Sequence, residues 1–327
     1  MKKTILIFLT ALALIFSSSC HREDSLRIVL LPDTQVYSES YPEIFNAQTA
    51  WIADNADSIA FVLHQGDITN HNTPVEWEVA AAAMQLMDGK VPYVFCMGNH
   101  DIGTDGRADI RNTDLFNAYF PYEKYRKAKG FGGAFGENRM DNVWYTFKAG
   151  GIRWLVLSLE FGPRDRVLDW ASGVIEAHPS HRVIINTHAY MYSDDTRMSP
   201  DRDHHWLPQH YGLGKEVPGP EAVNDGEQMW EKLVSQHANI LMVVSGHVLN
   251  DGAGTLVSEG IHGNKVYQML ANYQGGVDGS VNGGNGFLRI IDVYPEAGRI
   301  SVRTYSPFID EFKTEPAHQF VFEGVDL

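Results

Sequence analysis

Short apolar runs that end in a polar residue recur along this chain and set its organisation. Ile28-Val29-Leu30-Leu31 leads into Asp33-Thr34-Gln35, and Phe61-Val62-Leu63 into Gly66-Asp67. Tyr93 to Met97 leads into Gly98-Asn99-His100-Asp101, Val183-Ile184-Ile185 towards His188, and Ile240 to Val244 towards Gly246-His247. Runs of this length, bounded by polar residues and glycine, read as buried strands. Helical spacing lies between the first three. Ile44, Ala47, Trp51 and Ile52 share a face over 43–57. Val75, Val79, Ala82, Ala83, Leu86 and Met87 share one over 75–87, with Pro74 at the start and Gly89 after the end. This βαβαβ unit predicts a parallel sheet with right-handed crossovers. Ligands of open α/β sheets gather at the carboxyl ends of strands, so the five polar ends should converge.

The remaining pattern is less regular. Residues 102–136 are polar, aromatic and glycine-rich, and read as an insertion over the site rather than as core. Residues 143–147 and 152–159 read as a hairpin around Gly150-Gly151, then 165–178 as a helix and 182–187 as a strand. Residues 189–224 have no period and contain Pro200, Pro208 and Pro218; so long a loop in a compact domain is usually functional or mobile. Asn224 or Asp225 caps a helix that runs to His237. The tail is β-like over 266–271, 286–293, 299–305 and 319–323. No internal repeat or linker divides the chain.

The ordered series Asp33-x-Gln35, Gly66-Asp67, Gly98-Asn99-His100-Asp101, His188 and Gly246-His247 resembles the calcineurin-like metallophosphoesterases over roughly residues 26 to 306. The resemblance implies an α/β fold, an α/β/β/α sandwich of two mixed sheets with helices outside, spanning residues 26–327. It implies hydrolysis of a phosphomonoester or phosphodiester by a hydroxide held at two divalent ions. Asp67 would bridge the ions, since a carboxylate can offer one oxygen to each. Asp33 and Gln35 would complete the first ion; Asn99, His188 and His247 the second. Oxygen and imidazole ligands without thiolate suit Mn, Fe or Zn. His100, next to a ligand, is the expected general acid, and Asp101 the carboxylate expected to orient it.

Two positions depart from the family pattern. Gln35 stands where the family has a histidine, and Leu249 where Gly-His-x-His would place another. Both changes strip imidazole from the first ion, which should bind more weakly. Asn250, one position on, is the candidate replacement ligand. His204 and His205 in the long loop, and Tyr273 and Gln274 before a glycine-rich stretch, are candidate substrate contacts. His64, Arg289 and Arg303 read as structural. A second functional reading is a binding lipoprotein that keeps the fold without turnover.

Composition narrows the partners. The 327-residue chain is 44% hydrophobic and 20% charged, with a formal net charge of −15. That balance argues against a nucleic-acid partner held by bulk electrostatics, and it means that the small phosphorylated substrate implied by the resemblance must be attracted locally, by metal ions or a few arginines. Lys2-Lys3, the apolar run from Ile5 to Phe16 and then Ser17-Ser18-Ser19-Cys20 resemble a lipoprotein-type signal over 1–19, with a spacer over 20–25. Cleavage would leave a formal charge of −17, because residues 1–19 contain two lysines and no acids. The expectation is an exported protein tethered to a bacterial cell-envelope membrane through lipidated Cys20. Cys96, inside an apolar run, then has no disulfide partner and reads as a buried thiol.

Overall fold

A computed structural model describes residues 25–327; the leader, Cys20 and most of the spacer lie outside the described residues. The chain opens with β1 (Leu26–Leu31), α1 (Gln35–Ser40), α2 (Pro42–Asp54), β2 (Phe61–His64), α3 (Pro74–Gln85) and β3 (Tyr93–Phe95). The three strands pair in parallel, as the βαβαβ pattern predicts. A capping box fixes the start of α3: Thr73 accepts from the Glu76 N–H, Glu76 reaches back to Thr73, and Pro74 follows the cap. Its buried face matches the expected one only in part: Ala83 and Met87 are buried as expected. Val75 and Leu86 are 69% and 40% exposed, while Trp77, Ala80, Ala81 and Met84 face inward. The alanine-rich run is apolar on several sides, so the large Trp77 ring decides which side packs.

The segment after β3 contributes to the core, contrary to expectation. In α4 (Asp114–Tyr119) and α5 (Tyr122–Tyr125), Phe116 and Tyr125 are buried, as is Phe120 between them. All three rings surround Phe95, with centroids 5.9, 5.9 and 4.2 Å away respectively. Aromatic side chains bury enough surface to hold a segment that lacks regular periodicity.

The second sheet follows: β4 (Phe131–Ala134), β5 (Val143–Ala149), β6 (Ile152–Ser158), α6 (Asp165–Glu176), β7 (Arg182–Asn186), α7 (Gly226–Lys232), β8 (Ile240–Ser245), β9 (Ala253–Glu259) and β10 (Lys265–Ala271). Its order is β4-β5-β6-β7-β8-β10-β9, parallel from β6 to β10 and antiparallel at both edges. The tail strands β11 (Leu288–Tyr294), β12 (Arg299–Ser306), β13 (Glu311–Lys313) and β14 (Phe320–Glu323) return to the first sheet. That sheet runs β13-β12-β11-β1-β2-β3, with β14 beside β12. The sheets meet face to face: Phe61 stacks on Phe147 at 5.1 Å, and Asn186 donates to the His64 carbonyl at 2.9 Å. The buried Arg289 guanidinium donates to the Leu270 carbonyl at 2.7 Å, a structural tie between sheets. The fold is thus the expected α/β arrangement of two mixed sheets with helices. Among the described residues no helix is long and apolar enough to cross a membrane.

Candidate metal centre

The carboxyl ends of β1, β2, β3, β7 and β8 meet at one place. Close approach of the loops dictates two of the glycines. A Cβ on Gly98 would lie 2.0 Å from the Asp67 carboxylate, and one on Gly246 would lie 2.2 Å from that of Asp33. Backbone strain collects here as well: Asp33, Asp67 and His247 have φ of 39°, 48° and 77°. Left-handed backbone at residues other than glycine costs of order 1–3 kcal/mol and clusters at functional sites.

Asp67, His188 and His247 bring ligand atoms within 4.8 Å of one another. His188 Nε2 lies 3.3 Å from Asp67 Oδ1, 3.2 Å from Asn99 Oδ1 and 3.1 Å from His247 Nδ1. Each ring is held from outside. His188 Nδ1 faces the Gln65 carbonyl at 2.7 Å, and His247 Nε2 the Trp206 carbonyl at 2.8 Å. A carbonyl can only accept, so each of these outer nitrogens carries the proton. In the neutral form, rings so fixed turn their inner lone pairs towards Asp67 and Asn99, the arrangement that metal-ligating histidines adopt. Burial disfavours charge on His188, but Asp67 and then Asp33 lift it to about 9. Burial, then the neighbouring His188, pushes His247 down to about 3. Asp67 is held well below the usual carboxylate range, because His188 and His100 outweigh its burial. Asp33 goes the other way: burial raises it strongly, only partly opposed by His188. Two buried carboxylates facing two imidazoles and an amide oxygen, with no Lys or Arg among the described residues that line the adjoining cavity, fit divalent cations.

Asp67 faces two ways. Its Oδ1 points to His188 and accepts from the His100 N–H at 2.9 Å, while Oδ2 accepts from the Gln35 amide at 3.1 Å. On the Oδ2 side Gln35 abuts the Gln274 amide, and Gln274 Nε2 lies 3.4 Å from Asp33 Oδ1. Asp33 also accepts from the His247 N–H at 3.1 Å. His64 bridges the loops from behind, with Nε2 3.0 Å from the Thr34 hydroxyl and Nδ1 accepting from the Gly66 N–H at 3.2 Å.

His100 and Asp101 are adjacent in sequence but work apart. The half-buried His100 lines the cavity and directs Nδ1 to the Asn70 carbonyl, 2.8 Å away. The Asp101 carboxylate instead accepts from the backbone N–H groups of Ile68, Thr69 and Gly98 at 2.9, 2.8 and 2.9 Å. Burial and then Asp67 push it up to about 6 against those donors. The expected Asp101–His100 pair is therefore corrected: the Asn70 carbonyl orients the imidazole, and Asp101 clamps two loops.

Other expected contacts fall outside the centre. Asn250 is exposed and donates to the Ser193 hydroxyl at 2.8 Å, so it does not replace a ligand; Leu249 lines the cavity instead. His204 is buried, stacked on Tyr192 at 3.8 Å and 3.2 Å from Asp194, which makes it a strut of the long loop. His205 is exposed and does not line the cavity. Tyr273 is buried with its hydroxyl 2.9 Å from Thr304. Of these candidates Gln274 alone reaches the cavity, whose volume is about 320 Å³. Sequence reasoning missed Trp206, Tyr211, Val36 and Asn70 in its wall. Only the length of the loop over 189–224 signalled the two aromatic residues.

Residues 26–251 match the sequence model of the family described as calcineurin-like phosphoesterase. The chain is 30% identical over 303 residues to the uncharacterized protein YvnB of Bacillus subtilis (strain 168), covering 88% of this chain and 20% of that protein. It thus spans about a fifth of the length of that curated relative. Its structure is similar to a purple acid phosphatase, PPD1, from yellow lupin seeds, with TM-score 0.54 and 13% identity over 93% of this chain and 55% of that one. It is also similar to GAP50, the anchor in the inner membrane complex of Plasmodium, with TM-score 0.50 and 12% identity over 92% and 88% of the two chains. At these identities the likeness is one of fold.

Proposed function

The chain belongs to the calcineurin-like phosphoesterase family, and from that premise we propose that it is a metal-dependent phosphoester hydrolase. The carrying observation is the convergence of Asp67, His188 and His247, with both outer imidazole nitrogens held by backbone carbonyls. Asn99, His188, His247 and Asp67 would hold one ion; Asp33, Gln35 and again Asp67 would hold the other. Divalent ions bound there supply Lewis acidity, which lowers the pKa of a water and takes up charge on phosphoryl oxygens.

The remaining roles belong to the chain. His100 stands in the cavity wall with Nδ1 engaged by Asn70, which leaves Nε2 to pass a proton to the departing alkoxide. Trp206, Tyr211, Val36 and Leu249 offer apolar and aromatic walls for an organic group. The absence of Lys and Arg from that lining favours a singly charged diester over a doubly charged monoester. Leu249 in place of an imidazole favours the other reading, a binder without turnover. Assays of an aryl phosphate and a bis-aryl phosphate, with Mn added and with chelator, decide the matter. Chelator-sensitive hydrolysis supports the enzyme. No hydrolysis of either ester by metal-loaded protein overturns it.

We further propose export and attachment to a bacterial cell-envelope membrane through a lipidated Cys20, on the strength of Lys2-Lys3, the apolar run and Ser17-Ser18-Ser19-Cys20. Cys20→Ala should release the protein from the membrane fraction; retention there would refute the tether.

A further inference from the structure

The first ion is short of ligands on the family pattern, because Gln35 and Leu249 replace two imidazoles. The structure puts a fourth side chain in the gap. Gln274 follows β10, which lies beside β8 in parallel with Leu270 opposite Ser245. Parallel neighbours present their carboxyl ends at one edge, so residues just beyond β10 emerge next to Gly246-His247. Gln274 is held there by a bond from its own N–H to Asn272 Oδ1 at 3.0 Å, and Asn272 in turn donates to the Val248 carbonyl at 3.2 Å. Leu249 has become packing: its Cδ1 would lie 3.3 Å from a Cβ on Gly276, so it braces the loop that carries Gln274.

The polar atoms at this spot are poorly matched without a cation. The Gln35 amide sits between Asp67 Oδ2, at 3.1 Å, and the Gln274 amide oxygen. Its own Oε1 is buried with no hydrogen-bond partner among the described residues. Gln274 Nε2 leans towards Asp33 Oδ1 at 3.4 Å. Both amides are spending N–H groups to separate two carboxylates, and an acceptor is orphaned as a result, which is unfavourable for a buried polar group. A half-turn of each amide reverses the arrangement and points two amide oxygens at the space the carboxylates share. Four oxygens facing one point repel each other unless a cation sits among them.

We propose that Gln274 takes the place of the missing imidazole, and that Asp33, Gln35, Asp67 and Gln274 form an all-oxygen site for a hard divalent cation of the Mg, Mn or Ca class. The neighbouring site, with His188 and His247, keeps the nitrogen ligands that suit Zn or Fe. The protein would then carry two chemically different ions, with the choice at the first made by β10 rather than by β8. Oxygen-only sites favour hard cations, and imidazole favours borderline transition metals. This inference rests on the di-metal reading of the same centre, but it concerns ligation and not turnover.

The test uses the full chain stripped with chelator and titrated with Mn or Zn by calorimetry, with Mn resonance spectroscopy as a second readout. The natural protein should bind two Mn ions of unequal affinity, and Zn should fill one site preferentially. Gln274→Leu should weaken Mn at one site by at least about tenfold, the scale on which even outer partners of metal ligands act. Gln274→Glu, which keeps an oxygen donor, should retain both sites and shows that residue 274 can be changed without loss of fold. Gln274→His should shift the first site towards Zn. Unchanged Mn affinities in Gln274→Leu, or a natural first site that holds Zn against excess Mn, overturn the proposal. If both ions bind as described and no phosphoester is cleaved, the hydrolase reading alone fails. If hydrolysis is found and Gln274→Leu binds metal normally, this inference alone fails.

Discussion

Replacing Asp101 by asparagine distinguishes a loop clamp from a catalytic partner of His100. The Asp101 carboxylate accepts from three backbone N–H groups, those of Ile68, Thr69 and Gly98, and from the Thr69 hydroxyl at 3.0 Å. Oδ1 serves Thr69, Oδ2 serves Gly98, and Ile68 lies within reach of both. An asparagine oxygen can keep the Ile68 and Thr69 side. Its NH2 group then meets the Gly98 N–H, donor against donor. One orphaned buried donor costs about 1–3 kcal/mol, and the bonds that remain lose the strength lent by charge. Asp101→Asn should therefore lower stability by about 2–4 kcal/mol, and Asp101→Ala, which strips all three backbone donors, by more. The measurement is denaturant unfolding of metal-free protein, so that altered metal affinity does not contribute. An unchanged midpoint together with a shifted pH–rate profile would refute the clamp and restore Asp101 as the group that orients His100.

His100→Ala should lower turnover by about 10²-fold or more on an ester with a poor leaving group, and should leave Mn content intact, as removal of a general acid does; full activity on that ester would exclude the role. Asp67→Ala should lose more metal than Asp33→Ala on elemental analysis, because Asp67 oxygens face both halves of the centre; equal retention would remove the bridging role. Glu160 is buried, yet Arg111 and Arg164 hold its carboxyl below the usual range. A depressed native pKa stabilises above the unfolded value of about 4.3 and is lost as pH falls through the native one. Glu160→Gln should thus cost about 2–3 kcal/mol at neutral pH and progressively less in acid, read from unfolding midpoints between pH 3 and 8; a pH-independent loss would contradict the ion pair.

Local sequence determined the strands and the ends at which chemistry sits. A run such as Phe61-Val62-Leu63 must be buried, and the polar Gly66-Asp67 that follows must leave the sheet, whatever the rest of the chain does. The capping box at Thr73 and Glu76 and the hairpin at Gly150-Gly151 are equally local, since turn and cap chemistry is set by neighbours in sequence. Tertiary structure decided which faces and which partners won. The alanine-rich α3 could bury several faces, and the fit of Trp77 chose one. Asp101 sits one residue from His100, yet it serves a loop that sequence separates from it by more than thirty residues. Asn250 is the nearer neighbour of the missing ligand along the chain, but the left-handed turn at that residue, with φ of 56°, goes with a bond to Ser193 instead. Gln274 comes instead from the parallel strand alongside. Strand pairing between distant segments is not written in any local pattern, because the side chains that make it favourable are brought together only when the sheet closes.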